Sequence, residues 1–120
     1  MPVAYNGLLI LSFLTETMAA VSLIGGPDGL SAAGRGEMWS MHYGFAALAI
    51  ASSSLWAWPQ RKSLPAVTLM LGLMSVFHTG LAISLLTAGD QQVGLVLHTI
   101  LAILALGLAT QRSKIASQTS

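Results

Sequence analysis

From Ser63 to Gly89 the chain carries no charged side chain, yet His78 stands inside that run, in LGLMSVFHTGLA. About 20 consecutive apolar residues is what an α-helix needs to cross the hydrocarbon core of a bilayer. Three further stretches share this character, and together they give spans of about 6–25, 39–58, 65–88 and 92–111. Backbone amides in lipid find no water to bond, so each span must satisfy itself as a helix. The expected fold is therefore all-α. Residues 1–120 form one domain, a polytopic membrane protein built as a four-helix transmembrane bundle.

Composition supports this and excludes several classes of function. Charged residues make up 8% of the chain, against 54% hydrophobic; a soluble domain carries roughly a quarter charged residues. The first partner is thus the lipid bilayer. A net charge of +1 without a basic cluster excludes nucleic acid as a partner. The absence of cysteine excludes disulfides, thiolate metal sites and a cysteine nucleophile. No Lys or Arg precedes Arg35, so the first span lacks the positive flank of a signal peptide and is expected to be retained. The first connection, GGPDGLSAAGRGEM, is turn-rich. It lacks the Gly-Lys-Ser/Thr of a phosphate loop, and no strand precedes it. PQRK and GDQQ form the other two connections, and QRSKIASQTS is a polar tail.

Arg61, Lys62, Arg112 and Lys114 fall in the second connection and the tail. The positive-inside rule then gives a multi-pass inner-membrane protein with both termini cytoplasmic, and the first and third connections outside. Trp39, Trp56 and Trp58 lie at span ends, as interfacial anchors do.

Four ionisable groups remain inside the spans. At about 1.5 Å per residue, His42 lies roughly 5 Å, His98 roughly 9 Å, and Glu16 and His78 roughly 14 Å below the outer ends of their helices. All four are in the outer half. Each also lies on a face of small residues: His42 with Ala46, Ala49 and Ser53, and His98 with Ala102, Ala105 and Ala109. His78 lies with Ser75 and Ala82 beside a Thr68-Gly72-Ser75-Thr79 stripe, and Glu16 with Ser12, Ala19 and Ala20. Small faces serve close helix packing, and a His or Glu on one can simply bond across the seam. Ionisable side chains at such depth are also costly, and are functional candidates by default.

Three chemistries suit this set. Imidazole and carboxylate ligate a transition metal, but a depth spread of roughly 9 Å is wide for one small ion. Haem b is large and flat, needs one or two axial ligands, and packs against small side chains. A proton relay through Glu16 and the histidines would serve a transporter. No paired helix interruptions mark a transport pathway, and four helices are few for a transporter unless it oligomerises.

The chain resembles the bacterial styrene oxide isomerase family over nearly its whole length. The matching features are NGLLILSF opening the first helix, LIGG closing it, and a long connection leading through WSMHYG into the second. A basic RK turn, a third helix with Gly80 at its middle and GD before the fourth complete the likeness. The resemblance implies a four-helix membrane enzyme holding haem b, active as a homo-oligomer. It implies His42 as axial metal ligand, in His42-Tyr43-Gly44 at the start of helix two. The family's asparagine less than two turns further on is matched by Leu48, and its functional tyrosine in helix three by Ala82. His78 falls where the family has a second asparagine. The haem ligand is thus kept while the substrate groups are not.

The expectation is an integral membrane haem b protein. His42 is the axial ligand, with His78 or His98 as cofactor-binding partner. Tyr43 and Glu16 are the proton-handling catalytic candidates in an isomerase-like reaction on a small apolar, oxygen-containing substrate. The alternative is a small transporter or membrane-complex subunit, in which Glu16 and the histidines handle protons or tie helices together.

Overall fold

The computed structural model describes residues 1–26, 39–89 and 91–117, with the side chain of residue 39 outside that description. The turn-rich first connection therefore falls largely outside the described residues, as do the anchoring role of Trp39 and the aspartate of the GD pair. Among the described residues the chain is helical, with no strand. Helix α1 covers Pro2–Gly25, α2 Trp39–Ala57, α3 Leu64–Ala88, α4 Gln92–Ala109 and α5 Arg112–Ser117, and a 3-10 turn, Trp58–Gln60, follows α2.

Local chemistry sets several of these boundaries. Proline stands in the first turn of α1 and of α3, where its missing N–H has no intrahelical partner to lose. Gly89 ends α3 at φ 75°, a left-handed conformation that glycine enters without a Cβ clash, and its N–H bonds Leu85 O at 2.9 Å. The chain can then reverse at once into α4. The closest pairings are α1 with α2 and α3 with α4.

Helices α1, α3 and α4 are each long and apolar enough to cross a membrane. Helix α2 has 19 residues but is not among them. Ser52, Ser53 and Ser54, with His42 and Tyr43, dilute its apolar run. The first span also begins earlier than expected, at Pro2, and the expected polar tail contains α5, whose Ile115 is fully buried.

Apolar residues occupy both the buried and the exposed faces of these helices, so hydrophobicity alone does not tell inside from outside. Helix α1 buries Tyr5, Leu8, Leu9, Ser12, Glu16 and Ala20, and α3 buries Val67, Met70, Leu71, Met74, Ser75 and His78. Helix α4 buries His98, Leu101, Ala102, Ala105 and Leu108. The expected small faces of Glu16 and His98 are thus the packed ones. Thr68 and Gly72 of the α3 stripe are exposed.

Helix α2 departs from expectation. His42, Ala46 and Ala49 are exposed, and the buried positions are Met41, Gly44, Ala47, Ala51 and Ser54. The reason is the approach of α1. A Cβ on Gly44 would lie 2.7 Å from Ile24 Cγ1 and 3.1 Å from Leu23 Cβ. The closest contact claims the face with no Cβ, which turns the His42 face outward.

The core divides into two layers. Near the chain termini, Tyr5, Leu8, Leu9, Leu71, Met74, Leu101, Ala105, Leu108 and Ile115 form one apolar cluster. Above it, towards the end where α1 stops and α4 starts, come Ser12, Ser75, Glu16, His78 and His98. Replacing Gly44 with leucine should force α1 and α2 apart, costing about 1–3 kcal/mol as overpacked cores do. A thermal unfolding midpoint in detergent equal to that of the unmodified protein would refute this contact.

Candidate functional site

Three helices each contribute one donor to a single point. Glu16 Oε1 of α1 lies 3.7 Å from His78 Nδ1 of α3 and 3.6 Å from His98 Nδ1 of α4. The two Nδ1 atoms are 3.0 Å apart. Glu16 and His78 are fully buried and His98 is 5% exposed. Phe77 sets its ring edge-on to both imidazoles, with centroids 5.3 and 6.4 Å away.

The expected depth spread is corrected here. His42 alone had made it wide. The other three differ by roughly 5 Å in level, which side chains of this length bridge. Their convergence follows from register: Glu16 and Ser12 are one turn apart on the buried face of α1, and His78 meets both.

Proton bookkeeping constrains the pair of rings. Two Nδ1 atoms at 3.0 Å share a hydrogen bond only if one is protonated and the other is not. Ser12 Oγ lies 3.3 Å from His78 Nε2. If His98 donates, the second nitrogen of His78 carries a proton and donates to Ser12. If His78 donates, Ser12 donates to Nε2 instead. The hydroxyl can do either, so it holds the ring in place in both forms.

Glu16 is the anomaly. Both of its oxygens are buried, and neither accepts a hydrogen bond. A buried carboxylate so placed is costly unless it is paired or coordinates a metal. The three donors form a triangle of sides 3.0, 3.6 and 3.7 Å, whose centre lies about 2.0 Å from each corner, the length of a metal–nitrogen or metal–oxygen bond. Three donors so spaced could hold one metal ion.

The described residues leave a cleft that reaches the site. An open cleft of about 770 Å³ runs down from the end where α1 stops and α4 starts, and His98 is on its wall. Met18, Leu81 and Leu97 line it, with the hydroxyls of Thr15 and Tyr43. Below the three donors lies the apolar cluster, closed at its base by Ile115.

The other candidates fall as follows. Tyr43 is half-buried and shares the cleft with His98. His42 is exposed and is not among the three donors. A haem on His42 would therefore lie against the outward face of α2, over Ala46 and Ala49. His78 and His98 face each other inside the bundle and are not arranged to complete that haem. Ser12 is expected from the sequence only as a small packing residue; its spacing of four from Glu16 is the signal that it reaches the same site.

Removing the Ser12 hydroxyl as alanine should leave His78 Nε2 unbonded in the core, destabilising the fold by about 1–3 kcal/mol. Ser12→Thr should retain most of the stability. Equal resistance of Ser12→Ala and the parent to thermal or dodecyl sulfate unfolding would count against the bond. No family model, curated protein or solved structure matches the chain.

Proposed function

We propose that the chain is a membrane metal protein in which Glu16, His78 and His98 bind one divalent transition ion. The observation that carries this reading is the donor triangle around a carboxylate with no hydrogen bond. Two imidazoles and one carboxylate suit zinc, cobalt(II) or iron(II), and three protein ligands leave a coordination position open, as in catalytic rather than structural sites. In this reading α2 is a fourth span beside the three apolar ones, the termini are cytoplasmic, and the cleft opens outward from an inner membrane. The basic residues Arg61, Lys62, Arg112 and Lys114 at one end of the bundle support that orientation. The apolar cluster beneath the donors weighs against a proton relay across the membrane.

Chelator-stripped protein in mild detergent should take up close to one zinc or cobalt(II) per chain by elemental analysis. Glu16→Gln and His98→Ala should each weaken binding by more than the roughly 10- to 100-fold that loss of an outer-shell group costs. Binding should also weaken as pH falls, because the ligands must be deprotonated to coordinate. Uptake unchanged in Glu16→Gln would sink the metal centre.

A second reading, haem b on His42, is favoured by the exposure of that histidine above exposed Ala46 and Ala49. Bound there, haem would supply a Lewis-acidic iron for isomerisation of a small apolar, oxygen-containing substrate, and a second copy of the chain would cover its outer side. His42 would hold the group, and Tyr43 would face the cleft behind it. On this reading the purified protein is coloured, and His42→Ala loses the Soret band while Glu16→Gln, His78→Ala and His98→Ala keep it. Colourless protein from haem-replete cells that also fails to take up added hemin would remove this reading.

A further inference from the structure

We infer that the cleft ending on His98 binds a small neutral amphiphile, its apolar body between α1, α3 and α4 and a terminal oxygen at the donor triad. The inference rests on the proposed metal centre, because the ion is what selects an oxygen at the cleft floor. Three observations carry it.

The first is size and place. About 770 Å³ falls within the range of small-molecule pockets, and the cleft lies between helices of the bundle, a common position for such sites. It reaches His98, whereas Glu16 and His78 are fully buried and not among its lining residues. A ligand in the cleft therefore meets the triad at His98.

The second is charge. No Asp, Glu, Lys or Arg is among the described residues that line the cleft. A cationic ligand would lose its hydration and meet only the positive ion of the proposed centre, which apolar surroundings make costly. A neutral molecule incurs no such cost.

The third is the distribution of polar groups. Leu23, Leu85 and Val93 provide apolar wall, and Ser40, Ser84 and Gln91 are polar points among them. A few placed hydrogen-bonding groups on an apolar lining orient a ligand without demanding charge. Tyr43 is the phenol on that lining and can donate to an oxygen of the ligand.

The test uses 4-fluorobenzyl alcohol as probe, followed by its fluorine resonance in detergent-solubilised full-length protein, metal-free and loaded with cobalt(II). The paramagnetic ion should broaden the resonance saturably, and the visible cobalt bands should shift as the alcohol oxygen enters the coordination sphere. 4-Fluorotoluene, which lacks the oxygen, should leave the cobalt bands unchanged. Ser22→Phe and Ser84→Phe fill the cleft from lining positions six residues along the helix from Glu16 and His78. Both should keep cobalt stoichiometry and weaken the alcohol at least tenfold. Cobalt uptake with no saturable response to the alcohol overturns the cleft inference and leaves the metal centre standing. A saturable response equal in the filled variants and the parent likewise overturns it, since mere partitioning into detergent or replacement of a lipid chain elsewhere would do that. Failure to take up cobalt at all overturns the metal centre, and with it the selection of an oxygen-bearing ligand.

Discussion

A carboxyl group enclosed by apolar helices and given no hydrogen bond is the constraint around which this bundle is arranged. Glu16 has two histidine nitrogens within 3.7 Å and no donor bonded to either oxygen. An isolated carboxylate in such surroundings is among the costliest groups a fold can contain. Three helices must therefore present their polar residues at one level, and that fixes their register. Ser12 on α1 and His78 on α3 are held at 3.3 Å, and His78 and His98 at 3.0 Å. Between helices in lipid, where apolar surfaces gain little by meeting each other, such bonds and close packing specify alignment.

The same constraint explains the two layers. On the proposed reading a polar cluster that meets an ion or a ligand needs an opening, and a cleft among the described residues reaches it at His98. The opposite half can then be closed. Leu8, Leu9, Leu71, Met74 and Leu101 fill it, and α5 brings Ile115 beneath them. A site open at one end and sealed at the other suits binding and chemistry on that side better than passage through. The seal also keeps the donors in a low dielectric, where their attraction for a cation is strongest.

Much of this was legible in the sequence, and the failures have physical causes. The three strongest spans follow from length and apolarity alone, and the buried faces of α1 and α4 from small residues around Glu16 and His98; on α3 the small stripe is partly exposed and Val67, Met70, Leu71 and Met74 are buried beside Ser75 and His78. Helix α2 misled because it has two small faces. His42, Ala46 and Ala49 make one; Gly44, Ala47, Ala51 and Ser54 make the other. Only the second contains a glycine against a neighbouring helix, with Ile24 where a Cβ would stand. Sequence spacing does not say which partner will approach, so the histidine with the most suggestive neighbours points outward. The metal triangle was set aside because His42 was counted with the other three; depth along separate helices says nothing about the direction each side chain takes.

Ser12 gives the site a way to hold two protonation patterns without rebuilding. With the rings sharing a proton, its hydroxyl can donate to or accept from His78 Nε2. With a cation at the centre, both Nδ1 atoms must be bare, and His78 must carry its proton on Nε2 and donate it to Ser12. A metal-bound histidine typically donates its other N–H to such a group, which fixes ring orientation and strengthens the ligand. Serine is suited to this position because a hydroxyl rotates to serve either role, whereas a carbonyl would accept only. In the proposed metal-bound form the cation would stand where the two rings share a proton in its absence.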